Sequence, residues 1–369
     1  MCTLVDIALA GDLVLDEPDA RHWLSGIAPR LLESDLAIAH LEVAHTNSLH
    51  EMAGDVPAPG APPENLAALA DAGIDMVSLA GNHIADSGAQ GIADTIAGLS
   101  EAGVLYAGAG IDLPSARLAA ITCVKGLRIA LLSYNCVGPQ ESWAAPDQAG
   151  CSFLPLGTAD GSPVNPRADI TEVLPAALDI LREDIAIARN QADFVIVALH
   201  KGIVHTPVTL APYERPIAHA AVDLGADAVV SHHAHIVRGV EFHGGKPIFH
   251  GLGNGCVVTS ALSPDQDHAG RAEWAQRRKQ MFGFEPDPAY SLAPFHPEAV
   301  NAFIARLLIT DDGVVRAGVT PVHVEPPGRP VLADGERARE IADYIEQISR
   351  EAGLPPISID QDFMIMEAA

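Results

Sequence analysis

The chain has 369 residues, of which 48% are apolar, and a formal net charge of −26. This length fits one large α/β domain or two modest ones, and the apolar content excludes a disordered chain. A surface this acidic repels phosphate backbones and anionic membrane surfaces, so we expect neither a nucleic-acid partner nor a membrane partner.

Short apolar runs alternate with amphipathic segments along most of the chain, which is typical of sheets covered by helices. In chain order we predict strand 4–10, helix 19–33, strand 36–41, loop 54–63, helix 63–73, strand 74–79, helix 91–103, strand 127–134, helix 170–190, strand 194–200, helix 212–225, and strands 228–231, 247–251, 302–310 and 314–324, followed by helix 336–352. A hairpin through Asp311, Asp312 and Gly313 would make the sheets mixed rather than purely parallel.

Two irregular segments interrupt this alternation within a predicted single domain over residues 1–369. Residues 138–166 are rich in Pro, Gly, Asp and Ser, as lids and binding loops often are, and residues 263–297 form a polar insertion. Trp143, with Phe153 and Leu154, could form an apolar wall over a site. The alternative is that these side chains pack against the core.

The cysteines and the N-terminal residues indicate the cellular compartment to expect. Five cysteines without regular spacing predict reduced thiols rather than a disulfide framework. Residues 1–12 have no basic region and no long apolar core, so they do not predict a signal or transit peptide. No uncharged run of about 18 apolar residues occurs, so no membrane span is predicted. We therefore expect a soluble, cytoplasmic protein.

Histidine is unusually common, with 16 residues, and several histidines follow predicted strands directly. Because ligands gather at the carboxyl ends of strands in open α/β sheets, these side chains should meet in one place. Mixed nitrogen and oxygen donors favour Mn, Fe or Zn over Ca or Mg. The residues at these strand ends are Asp12, Glu42, Asn82, His83, His200, His232, His233 and His235.

Individual members of this set have simpler explanations. A single Asp12 or Asn82 after a strand is often a turn or cap residue. His233 and His235 are harder to dismiss, because in an extended segment they would lie on the same side, as two ligands would. Glu42 could be the carboxylate that bridges two ions.

Residues 4–254 contain a series of short motifs at these strand ends. They are Gly11-Asp12, Leu41-Glu42, Gly81-Asn82-His83 with Asp86 and Gly88, Leu199-His200 with Gly202, Gly225-Ala226-Asp227 before His232-His233-Ala234-His235, and Gly251-Leu252-Gly253-Asn254. Together the motifs resemble the CapA family, named for capsule and poly-gamma-glutamate synthesis, within the calcineurin-like metallophosphoesterase superfamily.

The resemblance implies a four-layer α/β/β/α sandwich with mixed sheets and two divalent metal ions, either Fe, Mn or Zn. By position, Asp12 and His235 would bind one ion, and Glu42 would bridge both. His83 would be the general acid or an electrostatic donor, oriented by Asp86, although Asp86 could instead cap the following helix. The ligands of the second ion would be Asn82, His200 and His233.

The chain departs from the family pattern at several places. Val14 stands where the superfamily has a histidine, so His40 or His45 could complete the first metal site. The family's His-Trp-Gly-x-Glu motif is replaced here by His200-Lys201-Gly202-Ile203-Val204. Lys201 and His205 could contact an anionic substrate, unless Lys201 is merely a solvated surface residue. Asn254, in the Gly-Asn turn, is a further candidate for substrate contact.

These residues predict a hydrolase in which a metal-bridging hydroxide attacks a phosphoester or an acyl group, that is, a thioester, ester or amide. The substrate would be a small molecule, either anionic or a hydrophobic acyl compound. One alternative is a non-catalytic, metal-dependent accessory or binding protein in polymer assembly. A metal-free α/β binding protein is another, and no oligomeric state follows from the sequence.

Overall fold

The structure is a computed structural model that describes residues 3–53, 58–310 and 315–367. Two large β-sheets and the helices that pack on them make up most of these residues. The helices are α1 (Ala20–Leu24), α2 (Ala28–Glu33), α3 (Ala67–Asp71), α4 (Gly88–Ala102), α5 (Leu113–Ala116), α6 (Pro175–Gln191), α7 (Glu214–Asp223), α8 (Ala269–Phe282) and α9 (Gly335–Glu351).

The first sheet has eight strands, with β1 at its centre. They are β1 (Thr3–Leu15), β2 (Leu36–Leu41), β3 (Met76–Ser78), β4 (Leu105–Ala107), β15 (Asn254–Val258), β16 (Asn301–Thr310), β17 (Val315–Glu325) and β18 (Arg329–Leu332). The strand order is β18-β17-β16-β1-β2-β3-β4, and β15 pairs with the last part of β1. Strands β1 to β4 and β15 pair in parallel. β16 is antiparallel to β1, β17 to β16 and β18 to β17. The register places Asp12 between His40 and Asn254.

The second sheet has six strands in the order β13-β14-β12-β11-β7-β6. They are β6 (Ala120–Val124), β7 (Leu127–Asn135), β11 (Phe194–His200), β12 (Ala228–His232), β13 (Val240–His243) and β14 (Lys246–Phe249). The four inner strands are parallel and the two edge strands antiparallel, so both large sheets are mixed, as predicted. His200 and His232 are register partners at the carboxyl ends of β11 and β12.

The remaining strands of the described residues form three two-stranded sheets. These are β5 (Ala109–Gly110) with β8 (Gly150–Cys151), β9 (Leu156–Thr158) with β10 (Ile170–Val173), and β19 (Ile357–Ile359) with β20 (Ile365–Glu367).

Three apolar clusters show how the layers pack. One contains Ile7 of β1 together with Leu131 of β7 and Ile196 of β11, so the two large sheets face each other. A second joins the other face of the first sheet to α1 to α4, and a third joins the second sheet to α6 and α7. The mixed α/β fold is confirmed, and this packing is consistent with four α/β/β/α layers.

Several element boundaries differ from the sequence-based expectation. β1 runs past Gly11 and Asp12 to Leu15, with a register shift after Asp12, so the acid lies inside the strand. The predicted helix 19–33 is split into α1 and α2, and residues 170–173 form β10. α6 begins at Pro175, because proline suits the first helical position. The antiparallel pairing of β16 with β17 confirms the hairpin, whose turn lies outside the described residues.

The two irregular segments contain short elements of their own. The excursion at 138–166 includes a 3₁₀ turn, β8 and β9, while the insertion at 263–297 contains α8. Throughout the described ranges, no helix has the length and apolar character needed to cross a membrane.

Candidate metal centre

Six side chains predicted as metal ligands meet where the carboxyl ends of the two large sheets converge. Asp12 comes from β1, Glu42 follows β2 and Asn82 follows β3. From the second sheet, His200 ends β11, and His233 and His235 follow β12. Five of them are buried, and His235 is largely so.

Short distances join these side chains into one cluster. His200 Nε2 lies 2.7 Å from Asn82 Oδ1 and 3.1 Å from His233 Nδ1. His235 Nε2 lies 3.3 Å from Glu42 Oε1, and its Nδ1 lies 3.9 Å from Asp12 Oδ2. The sequence-based grouping is therefore reproduced as a spatial grouping.

His40 belongs to the same cluster, whereas His45 does not contact it. Asp12, His40 and His200 each place one ligand atom within 4.8 Å of the others. Ser78 Oγ lies 2.9 Å from His40 Nδ1, which leaves Nε2 on the cluster side. His45 instead lies 2.9 Å from the Pro62 carbonyl oxygen through its Nδ1. Of the two candidates for the place of the missing histidine, the geometry favours His40.

Several buried ligand atoms in the cluster have no hydrogen-bond partner among the described residues. They are His40 Nε2, Glu42 Oε1 and Oε2, His200 Nδ1 and His233 Nε2. Such atoms cost stability unless something binds them. Gly81 keeps the space open, because a Cβ there would lie 2.9 Å from His40 Nε2. This donor set, rich in imidazole and carboxylate, fits a divalent transition metal.

The electrostatics of the cluster fit a cation as well. Burial lowers the pKa of His40 to about 4 and of His233 to about 3, so both rings are neutral, as ligands must be. Burial and the Glu42 charge raise the pKa of Asp12 to about 8. Against the effect of burial, Glu42 and Asp12 raise the pKa of His235 to about 9. A bound cation would relieve the repulsion between the two carboxylates.

The backbone of the His-x-His segment corrects one expectation. His233 and His235 have φ angles of +88° and +52°, so this segment is not extended, and the expected strand geometry is wrong. Left-handed conformations cost about 1–3 kcal/mol at residues other than glycine and concentrate at functional sites. Here they keep both rings on the cluster.

His83 and Asp86 form a pair beside this cluster. His83 Nδ1 lies 2.6 Å from Asp86 Oδ2, and the Ala58 amide donates to that same oxygen at 2.6 Å. α4 begins at Gly88 with Ser87 at its N-cap position, so Asp86 does not cap it. The geometry agrees with the predicted orienting role of Asp86.

An open cleft of about 1040 Å³, solvent space included, leads to the cluster. Glu42, Asn82, His83, His233 and His235 line its inner end. The insertion supplies much of one wall, which sequence reasoning missed. The only signal was the aromatic content of an otherwise polar segment. The wall residues it contributes are Arg271, Trp274, Phe282 and Phe295.

His205 lies in this cleft, as expected for a substrate-contacting residue. Its ring centroid is 6.3 Å from that of His235, and Phe282 and Phe284 contact it edge-on at 4.8 and 5.1 Å. Phe295 stacks on His235 at 4.9 Å. The insertion therefore reaches the candidate ligands directly.

Lys201 lies inside the protein, so the expectation that it occupies the rim of the site is wrong. The side chain is fully buried, with Nζ 2.9 Å from Glu214 and 3.0 Å from His250 Nδ1. Arg238 is also fully buried and contacts Glu214 at 3.0 Å. Both cations therefore pair with Glu214 inside the protein, where no ligand in the cleft can reach them.

Two further substrate candidates have other roles in the structure. Trp143 stacks on Phe153 with ring centroids 4.1 Å apart and packs on the core, so the alternative of core packing is correct. Asn254 Oδ1 lies 2.9 Å from His235 Nδ1, which makes Asn254 a partner of a candidate ligand. The far end of the excursion does reach the cleft, through Pro166 and Arg167.

Comparison with known sequences places the chain in a family. Residues 6–257 match the family described as bacterial capsule synthesis protein PGA_cap. This range contains the second sheet and the strands of the first sheet that precede β16. The chain therefore belongs to this family, and the predicted resemblance to CapA proteins is confirmed.

Individual relatives share part of the chain. A probable polyglutamine synthesis accessory protein of Mycobacterium tuberculosis is 33% identical over 195 residues, 52% of this chain and 47% of that protein. The capsule biosynthesis protein CapA of Bacillus anthracis is 30% identical over 195 residues, 52% of this chain and 42% of that protein. The chain thus spans less than half the length of these relatives. The crystal structure of the calcineurin-like phosphoesterase YfkN from Bacillus subtilis, at 12% identity, overlaps 94% of this chain and 97% of that chain with a TM-score of 0.37.

Proposed function

We propose that this protein is a divalent-metal-dependent hydrolase of small anionic substrates, with a phosphoester as the bond cleaved. The observation that carries the proposal is the buried cluster of imidazoles and carboxylates with unpartnered ligand atoms at the inner end of an open cleft. Asp12, Glu42, Asn82 and the histidines His40, His200, His233 and His235 would hold the metal. Divalent ions there would supply Lewis acidity and make water a better nucleophile near neutral pH.

The chain's own residues supply the rest of the reaction. Asp86 holds His83 through Nδ1, and the His83 ring lines the cleft in which a substrate would lie. As water adds to phosphorus and the bond to the leaving oxygen breaks, His83 would donate a proton to that oxygen. Arg167 on the cleft wall favours an anionic substrate in a chain whose net charge is −26.

The test compares hydrolysis of a phosphoester with hydrolysis of a thioester by the metal-loaded protein. Purified protein would be stripped with chelator, reloaded with Mn, Fe or Zn, and assayed with p-nitrophenyl phosphate and with an acyl thioester. We expect metal-dependent release of p-nitrophenol that is lost on stripping. Hydrolysis of the thioester alone would move the proposal to acyl substrates, and no hydrolysis of either would contradict a hydrolase.

A second function is favoured by the family itself. The relatives are named as accessory or biosynthesis proteins of polyglutamine and capsule, so a metal-dependent accessory role in polymer assembly is the alternative. A chain that binds metal tightly but hydrolyses neither probe would support this alternative.

A further inference from the structure

The outer part of the cleft contains a carboxyl group that the proposed reaction does not use. Asp16 directly follows β1 and lines the cleft, as does Val14 two residues earlier. Thr259 donates a hydrogen bond of 2.6 Å to Asp16 Oδ2. Asp16 Oδ1 is buried and has no hydrogen-bond partner within the described part of the chain. A buried oxygen left in this state costs stability that a ligand could recover.

The hydrogen bonds around Thr259 fix the roles of the two carboxyl oxygens. Thr259 Oγ accepts from the Ala261 amide at 3.0 Å and gives its one proton to Asp16 Oδ2. Oδ1 is therefore the better place for a proton on the carboxyl, because Oδ2 already accepts from Thr259. Burial raises the pKa of Asp16 to about 7, although Thr259 and Arg271 oppose the rise and Glu17 adds to it. Oδ1 is thus an acceptor in one protonation state and a donor in the other.

The position of Asp16 sets it apart from the metal centre. Asp16 lies four positions after Asp12 along extended chain, which is about 13 Å at the usual rise of a strand. Val14, Val43 and Val257 line the cleft as well and are apolar. A substrate that reaches from one end to the other would therefore have an apolar middle.

We propose that Asp16 and Thr259 form a recognition site for a hydroxyl group at the end of the substrate remote from the bond cleaved. A hydroxyl both donates and accepts, so it pairs with Oδ1 in either protonation state, whereas an ammonium group only donates and an ether only accepts. The substrate class is then an anion at one end, an apolar body, and a hydroxyl at the other. The placement of the anionic end rests on the proposed function.

The test uses two phosphonates that cannot be hydrolysed and differ at one end. Binding of 4-(hydroxymethyl)phenylphosphonate and 4-ethylphenylphosphonate to Mn-loaded protein would be measured by calorimetry. We expect the hydroxyl compound to bind about 10-fold more tightly, the effect of one hydrogen bond to a buried, otherwise unpartnered group. Asp16→Ala should reduce this ratio to about one, whereas the neighbouring control Glu17→Ala should keep it.

The outcomes separate this site from the metal centre. Equal affinities for the two phosphonates in the wild type would overturn the hydroxyl site and leave the anion site standing. No metal-dependent binding of either compound would contradict the proposed function, and the hydroxyl site with it. Should Asp16→Ala fail to fold, Thr259→Val keeps the carboxyl and removes the group that orients it. An unchanged ratio in Thr259→Val would overturn the role of the pair.

Discussion

Asp86 Oδ2 lies 2.6 Å from His83 Nδ1 and, at the same distance, accepts a hydrogen bond from the Ala58 amide. The carboxyl is buried, while the imidazole reaches the cleft. Such a pair holds a proton on Nδ1, fixes the orientation of the ring and stabilises the imidazolium form, whose second proton, on Nε2, is the one that a general acid would donate.

Loss of this pairing should slow turnover without emptying the metal site. We expect Asp86→Asn to lower kcat by about 10–100-fold, because asparagine keeps an oxygen for Ala58 but not the negative charge. His83→Ala should cost about 10²–10⁴-fold. Steady-state kinetics and elemental analysis of the same samples would check both. The exposed acid Asp71, changed to Asn, is the control, and unaltered kcat in His83→Ala would remove His83 from the reaction.

Glu42 should decide whether metal is held at all. Its carboxylate is buried between the two sheets, 3.3 Å from His235, where only a charged group can balance cations. We expect Glu42→Gln to lower the metal content per chain, measured by inductively coupled plasma mass spectrometry after dialysis. As the control, Asp16→Asn changes another carboxyl group in the cleft and should keep the metal content of the wild type. A Glu42→Gln protein with full metal occupancy would refute its role as a ligand.

The parts of the site that could be predicted depend on strand ends. Parallel strands deliver their carboxyl ends to one edge, so Asp12, Asn82 and His200 could be placed together from the apolar runs before them. His40 became a candidate only because Val14 stands where the wider superfamily has a histidine. Its position opposite Asp12 depends on strand register, which single-sequence patterns do not give.

The parts that could not be predicted depend on contacts distant in sequence. Lys201 follows a strand end just as a rim residue would, but its burial depends on Glu214, on His250 and on the fold that brings them together. The insertion covers the cleft because Phe282 and Phe284 pack on His205, and no periodicity in residues 263–297 signals that contact. Local patterns identified the strands well and tertiary partners poorly for this reason.

The buried Glu214 should be a large contributor to stability. It contacts Lys201 at 2.9 Å and Arg238 at 3.0 Å, and all three side chains are fully buried. Glu214→Gln leaves two like charges buried without a counter-charge, so we expect a loss of about 3–5 kcal/mol in the free energy of unfolding. Urea titration followed by circular dichroism would measure it. The control is Glu285→Gln, in an exposed pair with Lys279, which should change the free energy of unfolding by less than about 0.5 kcal/mol. Equal losses in Glu214→Gln and Glu285→Gln would contradict a special contribution of the buried carboxylate.

The same carboxylate predicts how stability depends on acid. Although burial opposes it, the charges of Lys201 and Arg238 lower the pKa of Glu214 to about 2, below the ordinary value of 4.5. Between these values the unfolded chain binds a proton that the folded chain does not, so stability falls as the pH falls. The contribution of Glu214 is thus complete above pH 4.5 and is lost toward pH 2. The stability difference between the wild type and Glu214→Gln, followed by urea titration from pH 6 to pH 3, should therefore shrink with acid. A constant difference over that range would mean that Glu214 keeps an ordinary pKa when folded.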